Sequence, residues 1–141
     1  MVGSSVAKSM SLAITSARAG DHVSIFQLLQ HVFHAPSSTD FQAAQDDPLY
    51  EPNDRIVARL DGRLVGHVQV VKRVMRFGSL ELPLAEIQHL GVLPEFRGQG
   101  IGAKLLTAAE AKMREDGAQL GLMRTSAPRL LAGRGWFLYG R

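Results

Sequence analysis

The residues of this chain whose types and spacing are best suited to chemistry form one hexapeptide, the glycine loop: Arg97, Gly98, Gln99, Gly100, Ile101 and Gly102. A helix is predicted to begin within it. Glycines that open a helix leave several backbone N–H groups pointing at one place with no side chain in the way, and the helix dipole makes that place electropositive. Arg97 adds a full positive charge at the rim. The loop therefore predicts a phosphate-binding site, and hence a phosphorylated cofactor.

Length and composition place the glycine loop in one globular domain. The chain has 141 residues, of which 45% are hydrophobic and 21% charged, with a net charge of +3. The basic residues form no stripe with interleaved aromatics, so no nucleic-acid surface is predicted. No apolar run approaches the length of a membrane span. We predict that residues 1–11 are a mobile leader and that residues 12–141 form the domain. The cytoplasm is the expected location.

Metal and thiol chemistry are not expected. The chain has no cysteine, which excludes disulfides, thiolate metal sites and a cysteine nucleophile. Among five histidines, only His31 and His34 stand at a helical spacing, and no metal-binding motif accompanies them. We predict no metal site.

The elements that must position the glycine loop begin with a strand and two helices. A strand is predicted over residues 12–18, and Asp21 is a suitable N-cap for a helix over residues 22–34. A short helix follows over residues 40–45, and then an acidic loop, residues 46–54. The apolar face of the first helix is predicted to consist of Val23, Phe26, Leu29 or Gln30, and Phe33.

An antiparallel meander is predicted for the middle of the chain, with strands over residues 55–60, 63–77 and 81–92. The helix after the glycines covers residues 100–116, with Leu105, Ala109 and Met113 as its buried stripe. A strand over residues 120–124 would then lie parallel to the last meander strand, because a helix connects the two. A short helix over residues 126–132 and a strand over residues 135–139 complete the prediction.

Two interpretations compete for the glycines. Gly98, Gly100 and Ala103 fit the letters of the dinucleotide-binding fingerprint. That fingerprint requires a parallel unit whose strand ends at the first glycine. Here residues 94–97 intervene and the preceding strands are predicted to be antiparallel. A nicotinamide-binding domain is therefore the less favoured interpretation.

The favoured interpretation starts from Arg97, Gly100 and Gly102, which follow a strand and a turn containing Val92 and Pro94. This pattern resembles motif A of the GNAT superfamily, the acetyl-CoA-dependent N-acetyltransferases. The order of predicted elements agrees with that family from about residue 12 to 139. The resemblance implies a mixed α/β (α+β) fold with a mostly antiparallel central sheet flanked by helices, its C-terminal strands incomplete.

The resemblance also implies an activity, the transfer of an acetyl group from acetyl-CoA to a primary amine by direct attack in a ternary complex. Amides of the glycine loop would hold the pyrophosphate of coenzyme A, and the preceding strand would bind the pantetheine arm as an added strand would. Gly91, inside that strand, indicates a bulge, a close backbone approach or a packing gap. The expected cofactor-binding residues are Leu90, Gly91, Val92, Arg97, Gly98, Gln99, Gly100, Ile101 and Gly102.

Glu86 and His89 are the catalytic candidates. Several GNAT enzymes carry a catalytic glutamate on this strand, so Glu86 is the first candidate for the general base; the alternative is an ion pair with an arginine of the neighbouring strand. His89 is the second, because histidine titrates near neutrality; the favoured alternative is a structural histidine whose ring is satisfied within the fold. Three residues apart, the two would lie on opposite faces of a regular strand unless a bulge intervened.

Two departures from the family pattern concern the C-terminal part. Many GNAT enzymes carry a tyrosine that protonates the leaving thiolate; Leu131 stands at that position and Tyr139 is the only nearby phenol. The family's closing strand pair is also missing after residue 139. We therefore expect either a longer chain or a homodimer that pairs at the open sheet edge.

The acceptor is expected to be a small-molecule or peptide amine. The acidic loop would form part of its wall, and Asp46, Asp47, Glu51 and Asp54 would favour a cationic amine, unless they are simply solvated. A function of another class stays open as well. The chain could be a non-catalytic acyl-CoA-binding module of a larger protein, and Leu131 is the residue that favours this alternative.

Overall fold

The structure, a computed structural model, describes residues 11–125 and 128–137. These residues form a five-stranded sheet whose strands lie side by side in sequence order. Strands β1 to β4 pair antiparallel and β5 pairs parallel to β4, which confirms the predicted sheet. The strands are β1 (Leu12–Ser16), β2 (Arg55–Leu60), β3 (Arg63–Phe77), β4 (Leu80–Val92) and β5 (Leu120–Met123).

Helices cover the sheet: α1 (His22–Phe33), α2 (Ser38–Gln45) and α3 (Ile101–Glu115). α3 connects β4 to β5, the crossover that two parallel neighbours need. Within the described ranges, no helix has both the length and the apolar character needed to cross a membrane. Single 3-10 turns lie at Ala19–Asp21, Pro52–Asp54, Pro94–Phe96 and Pro128–Leu131.

Two glycines show that α1 and α3 pack on opposite faces of the sheet. A Cβ atom on Gly91 would lie 2.8 Å from the Phe33 ring of α1, whereas one on Gly66 would lie 2.9 Å from Leu105 Cδ1 of α3. Gly91 pairs across the sheet with His67, the neighbour of Gly66, so the two glycines face opposite ways. Of the roles predicted for Gly91, the structure shows a close approach, here to the Phe33 ring, and a bulge in the residues directly before it.

The predicted apolar stripe of α3 is confirmed; that of α1 is right at Leu29 and Phe26, which lie in or against the core, and wrong at Val23. Leu105, Ala109 and Met113 are all buried. On α1 the buried residues are Ile25, Leu28 and Leu29, while Val23 is 70% exposed. Both stripes have helical periodicity, so the pattern allowed either. The packing of α1 on the sheet buries Ile25 and Leu28 beside Leu29 and leaves Val23 in solvent.

Asp21 occupies the N-cap position of α1 as predicted, but it does not cap the helix through its side chain. Its side chain makes no capping hydrogen bond. Oδ2 instead accepts from the Arg18 N–H at 2.8 Å, and Oδ1 pairs with Arg59 Nη2 at 2.6 Å. The carboxylate therefore fixes the preceding 3-10 turn to β2. α2 begins two residues earlier than predicted because the Ser37 hydroxyl accepts from the Asp40 N–H at 3.1 Å and caps it.

The C-terminal part departs most from the prediction. The short helix is a 3-10 turn over Pro128–Leu131, and residues 135–137 form no strand. Gly133 and Gly135 have φ of 75° and 85°, and Arg134 Nη1 donates to Glu110 Oε1 at 2.8 Å. Arg134 and Trp136 both bond to Glu110 of α3, and the Trp136 ring also lies against Gly121 of β5, so the segment packs here without forming a strand. Residues 1–10 of the predicted leader, Ser126 and Tyr139 lie outside the described residues.

Candidate functional site

A cleft of about 830 Å³ opens where the end of β4 meets the start of α3. Residues 86–92 of β4 form one wall and residues 123–125 another, with Val32 and Phe33 of α1 beside them. Every predicted cofactor-binding residue lines this cleft except Gln99. The two catalytic candidates, Glu86 and His89, line it as well. One concave site thus brings together the residues that the sequence selected.

The glycine loop presents backbone amides to a ligand. Gly98 and Gly100 both have a φ of 81°, a left-handed conformation that favours glycine. The first hydrogen bond of α3 runs from the Lys104 N–H to the Gly100 oxygen at 3.1 Å, so the amides of residues 101–103 precede it and are unpaired within the helix. A Cβ on Gly98, Gly100 or Gly102 would meet no atom of the described chain within 4 Å. This open backbone fits an anionic phosphate.

Arg97 ties the glycine loop to the strand that precedes it. Its Nε–H donates to the Val92 oxygen at 2.9 Å, and the side chain lines the cleft. The charge therefore lies where the end of β4 and the start of α3 approach each other. This is the rim at which the sequence predicted a positive charge.

The two parallel strands part inside the cleft. β4 and β5 pair from Leu84 and Leu120 to Ile87 and Met123. β4 then continues to Val92, whereas β5 ends. Residues 88–92 consequently face the cleft along an edge that β5 does not cover. An extended ligand could add to that edge through backbone hydrogen bonds, as a strand would.

A β-bulge in β4 places His89 in the cleft. His67 pairs with Gly91 and Gln69 with Gln88, so Val68 alone opposes both His89 and Leu90. His89 has a φ of 53°, which is strained for a residue other than glycine. Its ring lies 5.5 Å from the Phe33 ring, centroid to centroid, on the α1 face of the sheet. The bulge thereby brings His89 and Glu86 into the same cleft.

A fully buried histidine holds the bulge. His67 Nδ1 lies 2.9 Å from the His89 carbonyl oxygen, and Nε2 lies 3.2 Å from Arg55 Nη1. A carbonyl only accepts and a guanidinium only donates, so His67 is the neutral tautomer with its proton on Nδ1. Burial, reinforced by the charge of Arg55, lowers the pKa of His67 to about 3. At neutral pH the His67 ring is therefore neutral, and its two hydrogen bonds connect β2, β3 and the bulge.

Glu86 and His89 differ in their partners. Arg73 Nε donates to Glu86 Oε1 at 3.0 Å, which is the ion pair with the neighbouring strand that the sequence left open. His89 Nδ1 is sealed from solvent and has no hydrogen-bond partner among the described residues. Burial and the charge of Arg55 lower the pKa of His89. Its imidazole is therefore neutral at neutral pH and able to accept a proton.

A second, smaller cavity of about 250 Å³ lies on the other side of His89, and Gln88 and His89 line both spaces. Its walls come from α2, the acidic loop and the α1 face of β2 to β4. The named lining includes Phe41, Tyr50, Asp54, Arg55, Gln69 and Lys72. The two cavities therefore meet at the bulge.

Most carboxylates of the acidic loop are engaged with the protein. Lys72 Nζ lies 2.7 Å from Glu51 Oε1 and 3.3 Å from Asp54 Oδ1, and Lys112 Nζ lies 3.7 Å from the same Asp54 oxygen. Asp47 Oδ1 accepts from the Leu49 N–H at 2.8 Å. The contacts to Asp54 Oδ1 are ion pairs without hydrogen-bond geometry. Lysines therefore compensate the charges of Glu51 and Asp54, whereas in the described part of the chain Asp46 and Asp47 accept hydrogen bonds from neutral groups only.

Sequence reasoning missed Arg55 and His67. Arg55 is 2% exposed and His67 is fully buried, yet both were predicted as ordinary strand residues. A signal did exist, since His67 and Gln69 alternate with Val68 and Val70 along β3. A polar face on a strand with buried neighbours indicates a polar cavity. Gly91 was the one sequence signal for the bulge, which lies directly before it in β4.

Comparisons with known proteins agree with this geometry. A family model described as the acetyltransferase (GNAT) domain matches residues 13–138. The aminoalkylphosphonate N-acetyltransferase of Salmonella typhimurium is 37% identical over 95 residues, which are 64% of this chain and 60% of that protein. An uncharacterised N-acetyltransferase of Escherichia coli is 31% identical over 75 residues, 52% of this chain and 41% of that protein. The chain thus spans less than two thirds of the length of these relatives.

Solved structures share the fold at low sequence identity. Aminoglycoside N-acetyltransferase AAC(6')-Iy in complex with CoA superposes with a TM-score of 0.77 at 16% identity, covering 96% of this chain and 93% of that one. An acetyltransferase of Trypanosoma brucei has a TM-score of 0.71 at 20% identity, with 93% and 96% covered. At such identities the likeness concerns the fold.

Proposed function

Because this chain belongs to the GNAT acetyltransferase domain family, we propose that it transfers an acetyl group from acetyl-CoA to a primary amine. The observation that carries the proposal is the meeting of two cavities at His89. One contains the glycine loop and the uncovered edge of β4, and the other has a polar lining. A cofactor in the first and an amine in the second would be held together at the bulge, and such proximity lowers much of the barrier.

Coenzyme A fits the first cavity by the chemistry of its lining. The amides at the start of α3 and the charge of Arg97 suit the pyrophosphate, and the open Cβ positions of Gly98 and Gly100 let it lie against the backbone. The uncovered edge of residues 88–92 suits the amides of the pantetheine arm. Bound acetyl-CoA supplies the activated acetyl group, and backbone N–H groups near the bulge would stabilise negative charge on its carbonyl oxygen.

His89 and Glu86 are the groups placed to take the proton of the amine. An ammonium has no lone pair, so a base must accept its proton before or during attack. His89 lines both cavities, and its imidazole is neutral at neutral pH. One Glu86 oxygen is engaged by Arg73. We propose His89 as the more available base, with Glu86 acting directly or through water as the alternative.

Leu131 stands where the resemblance to GNAT enzymes would place the tyrosine that acts as general acid. Leu131 is half-buried against the core and lines a neighbouring cavity together with Glu86. A leucine cannot protonate a thiolate. Coenzyme A is itself a fair leaving group, so we propose that the reaction proceeds without a tyrosine acid at this position.

Thiol release tests the proposal. Acetyl-CoA and a panel of primary amines would be incubated with the full chain, and free coenzyme A would be measured together with its binding by calorimetry. We expect binding and amine-dependent release. Binding without release by any amine, also in a longer version of the chain, would favour the non-catalytic acyl-CoA-binding module.

The base is tested by pH–rate profiles of His89→Gln and Glu86→Gln. If His89 is the base, kcat/KM of the parent protein holds down to below the usual histidine pKa of about 6.5, because burial lowers the pKa of His89. His89→Gln should then abolish that acidic limb, while Glu86→Gln keeps it. The reverse pattern would assign the base to Glu86, and unchanged profiles in both would exclude the two residues.

A homodimer that pairs through the β5 edge remains a prediction. Leu120 and Leu122 of that edge are 44% and 42% exposed, which is consistent with it. Sedimentation equilibrium of the full chain would test the oligomeric state.

A cytoplasmic location also remains a prediction, and fractionation of the source cells would test it.

A further inference from the structure

The cavity beside His89 contains a buried cation without a carboxylate partner. Arg55 is 2% exposed, and in the described residues no carboxylate oxygen lies within 4 Å of its guanidinium. Its Cζ lies 4.7 Å from the Phe41 ring centroid and 5.6 Å from that of Tyr50. Burying a charge is costly unless it is paired and hydrogen-bonded. The aromatic faces compensate only part of this cost.

Two of the three Arg55 nitrogens are engaged by neutral groups. Nε donates to the Tyr50 hydroxyl at 3.0 Å, and Nη1 donates to His67 Nε2 at 3.2 Å. Nη2 has no hydrogen-bond partner in the described part of the chain, and it is not among the sealed, unsatisfied atoms. Since Arg55 lines the cavity, Nη2 is the donor that stays open to it.

The buried charges of the cavity favour an anion over a second cation. Asp54 is paired with Lys72, and Arg73 with Glu86, whereas in the described residues Arg55 is buried without an ion-pair partner. Asp40 and Asp47 also line the cavity, but both are exposed to solvent. A volume of about 250 Å³ suits a molecule of few heavy atoms. A large polycation would have to remain mostly outside it.

We propose that the acceptor is a small amine that also carries an anionic group, a carboxylate, phosphonate or phosphate, and that Arg55 Nη2 binds this group. The amine would then lie toward His89, which lines the same cavity. This inference rests on the proposed function, since it names the acceptor class of that site. Arg55 is thus a specificity-determining residue for the amine and not for acetyl-CoA.

The test compares amines of matched size with the full chain and acetyl-CoA. β-Alanine and 2-aminoethylphosphonate carry an anion, propylamine does not, and 1,3-diaminopropane carries a second cation. We expect the KM of the anionic amines to be about 10- to 100-fold below that of propylamine, as one charge-assisted contact allows. Equal use of propylamine, or a preference for the diamine, would overturn the proposal and favour the acidic loop as the recognition element.

Variants of Arg55 test whether this residue causes the preference for anionic amines. Arg55→Met should bring the KM ratio of propylamine to β-alanine to within about 3-fold of unity, and Arg55→Lys should restore part of it, because the charge and not the packing is required. Arg59→Met is the matched control: it removes an arginine of the same strand whose partner is Asp21, and the ratio should stay as in the parent protein. An unchanged ratio in Arg55→Met contradicts the proposal.

An inhibition experiment decides the matter if Arg55→Met does not fold. Propylphosphonate has the anion but no amine, and it should inhibit turnover of propylamine by the parent protein competitively with the amine and not with acetyl-CoA. No inhibition, or competition with acetyl-CoA alone, would refute an anion site in the acceptor cavity. Failure of every amine to release coenzyme A would instead refute the proposed function itself.

Discussion

The glycine loop and the bulge at His89 line the same cleft but depend on the chain in different ways. The loop is built from consecutive residues whose own backbone preferences create it, since Gly98 and Gly100 supply the left-handed turns and α3 starts directly after them. The bulge is held by His67, 22 residues away in sequence, and by Arg55 behind it. The proposed phosphate site can therefore form from adjacent residues alone, whereas the proposed reaction centre beside it requires a sheet.

This difference predicts distinct consequences of mutation. Changes in the loop should affect coenzyme A and leave the stability of the sheet nearly unchanged. Changes around the bulge should affect stability and turnover together, because the same hydrogen bonds support both.

The largest expected effect is that of Gly100→Glu. A carboxylate would face the pyrophosphate at a position with φ of 81°, so we expect affinity for coenzyme A to fall by at least about 100-fold. Calorimetry would measure it. Gly62→Glu is the matched control, because Gly62 has φ of 84° and equally open space in the turn between β2 and β3. Equal affinity in both variants would contradict the placement of the phosphate.

His67→Leu should break the bulge. It removes the partners of the His89 carbonyl and of Arg55 Nη1 in a buried place, which we expect to lower the free energy of unfolding by about 2–4 kcal/mol and kcat with it. His67→Asn keeps a donor near the position of Nδ1 and should recover part of kcat. Urea unfolding and steady-state kinetics measure the two effects. If kcat is the same in both variants, the bulge does not depend on this hydrogen bond.

Acidification should weaken the same link. Burial lowers the pKa of His67 to about 3, against 6.5 for an ordinary histidine. Between these two pH values the unfolded chain binds a proton at His67 that the folded chain does not. The contribution of His67 to the free energy of unfolding is therefore complete above pH 6.5. It is lost as the pH falls toward 3, by about 1.4 kcal/mol per pH unit. Urea unfolding at several pH values would measure it. The free energy of unfolding should fall less steeply with decreasing pH in His67→Asn than in the parent protein. Parallel plots of this free energy against pH for the two proteins would show that other groups cause the acid sensitivity.

The smallest expected effect is on stability, and it distinguishes a glycine packed inside β4 from a glycine of the open loop. Gly91→Ala would place a Cβ 2.8 Å from the Phe33 ring, and we expect it to lower the free energy of unfolding by about 1–2 kcal/mol, with recovery in the double variant with Phe33→Leu. Gly102→Ala meets open space at the start of α3 and should change stability by less than about 1 kcal/mol. Thermal unfolding compares them. Equal losses would mean that packing does not distinguish the loop from the strand.

Much of the fold was predictable from short-range patterns. Strand alternation and turn residues predicted the meander to within a residue or two, and the stripe of Leu105, Ala109 and Met113 predicted how α3 packs. The face of α1 was not predictable, because Ile25 and Val23 belong to two stripes of equal periodicity and only contact with the sheet selects one. Residues 135–137 were mispredicted because Glu110, distant in sequence, holds Arg134.

The sequence alone determined the glycine loop, because the backbone freedom of Gly98 and Gly100 and the amides of a helix start are properties of adjacent residues. It also determined which strand precedes the loop, and with it Glu86 and His89 as candidates. Only the tertiary structure decided that the two share a cleft, since their register depends on a bulge fixed by His67 across the sheet. The uncompensated charge of Arg55 was likewise decided there, because burial and distance from carboxylates exist only once β2, β3 and α2 have come together.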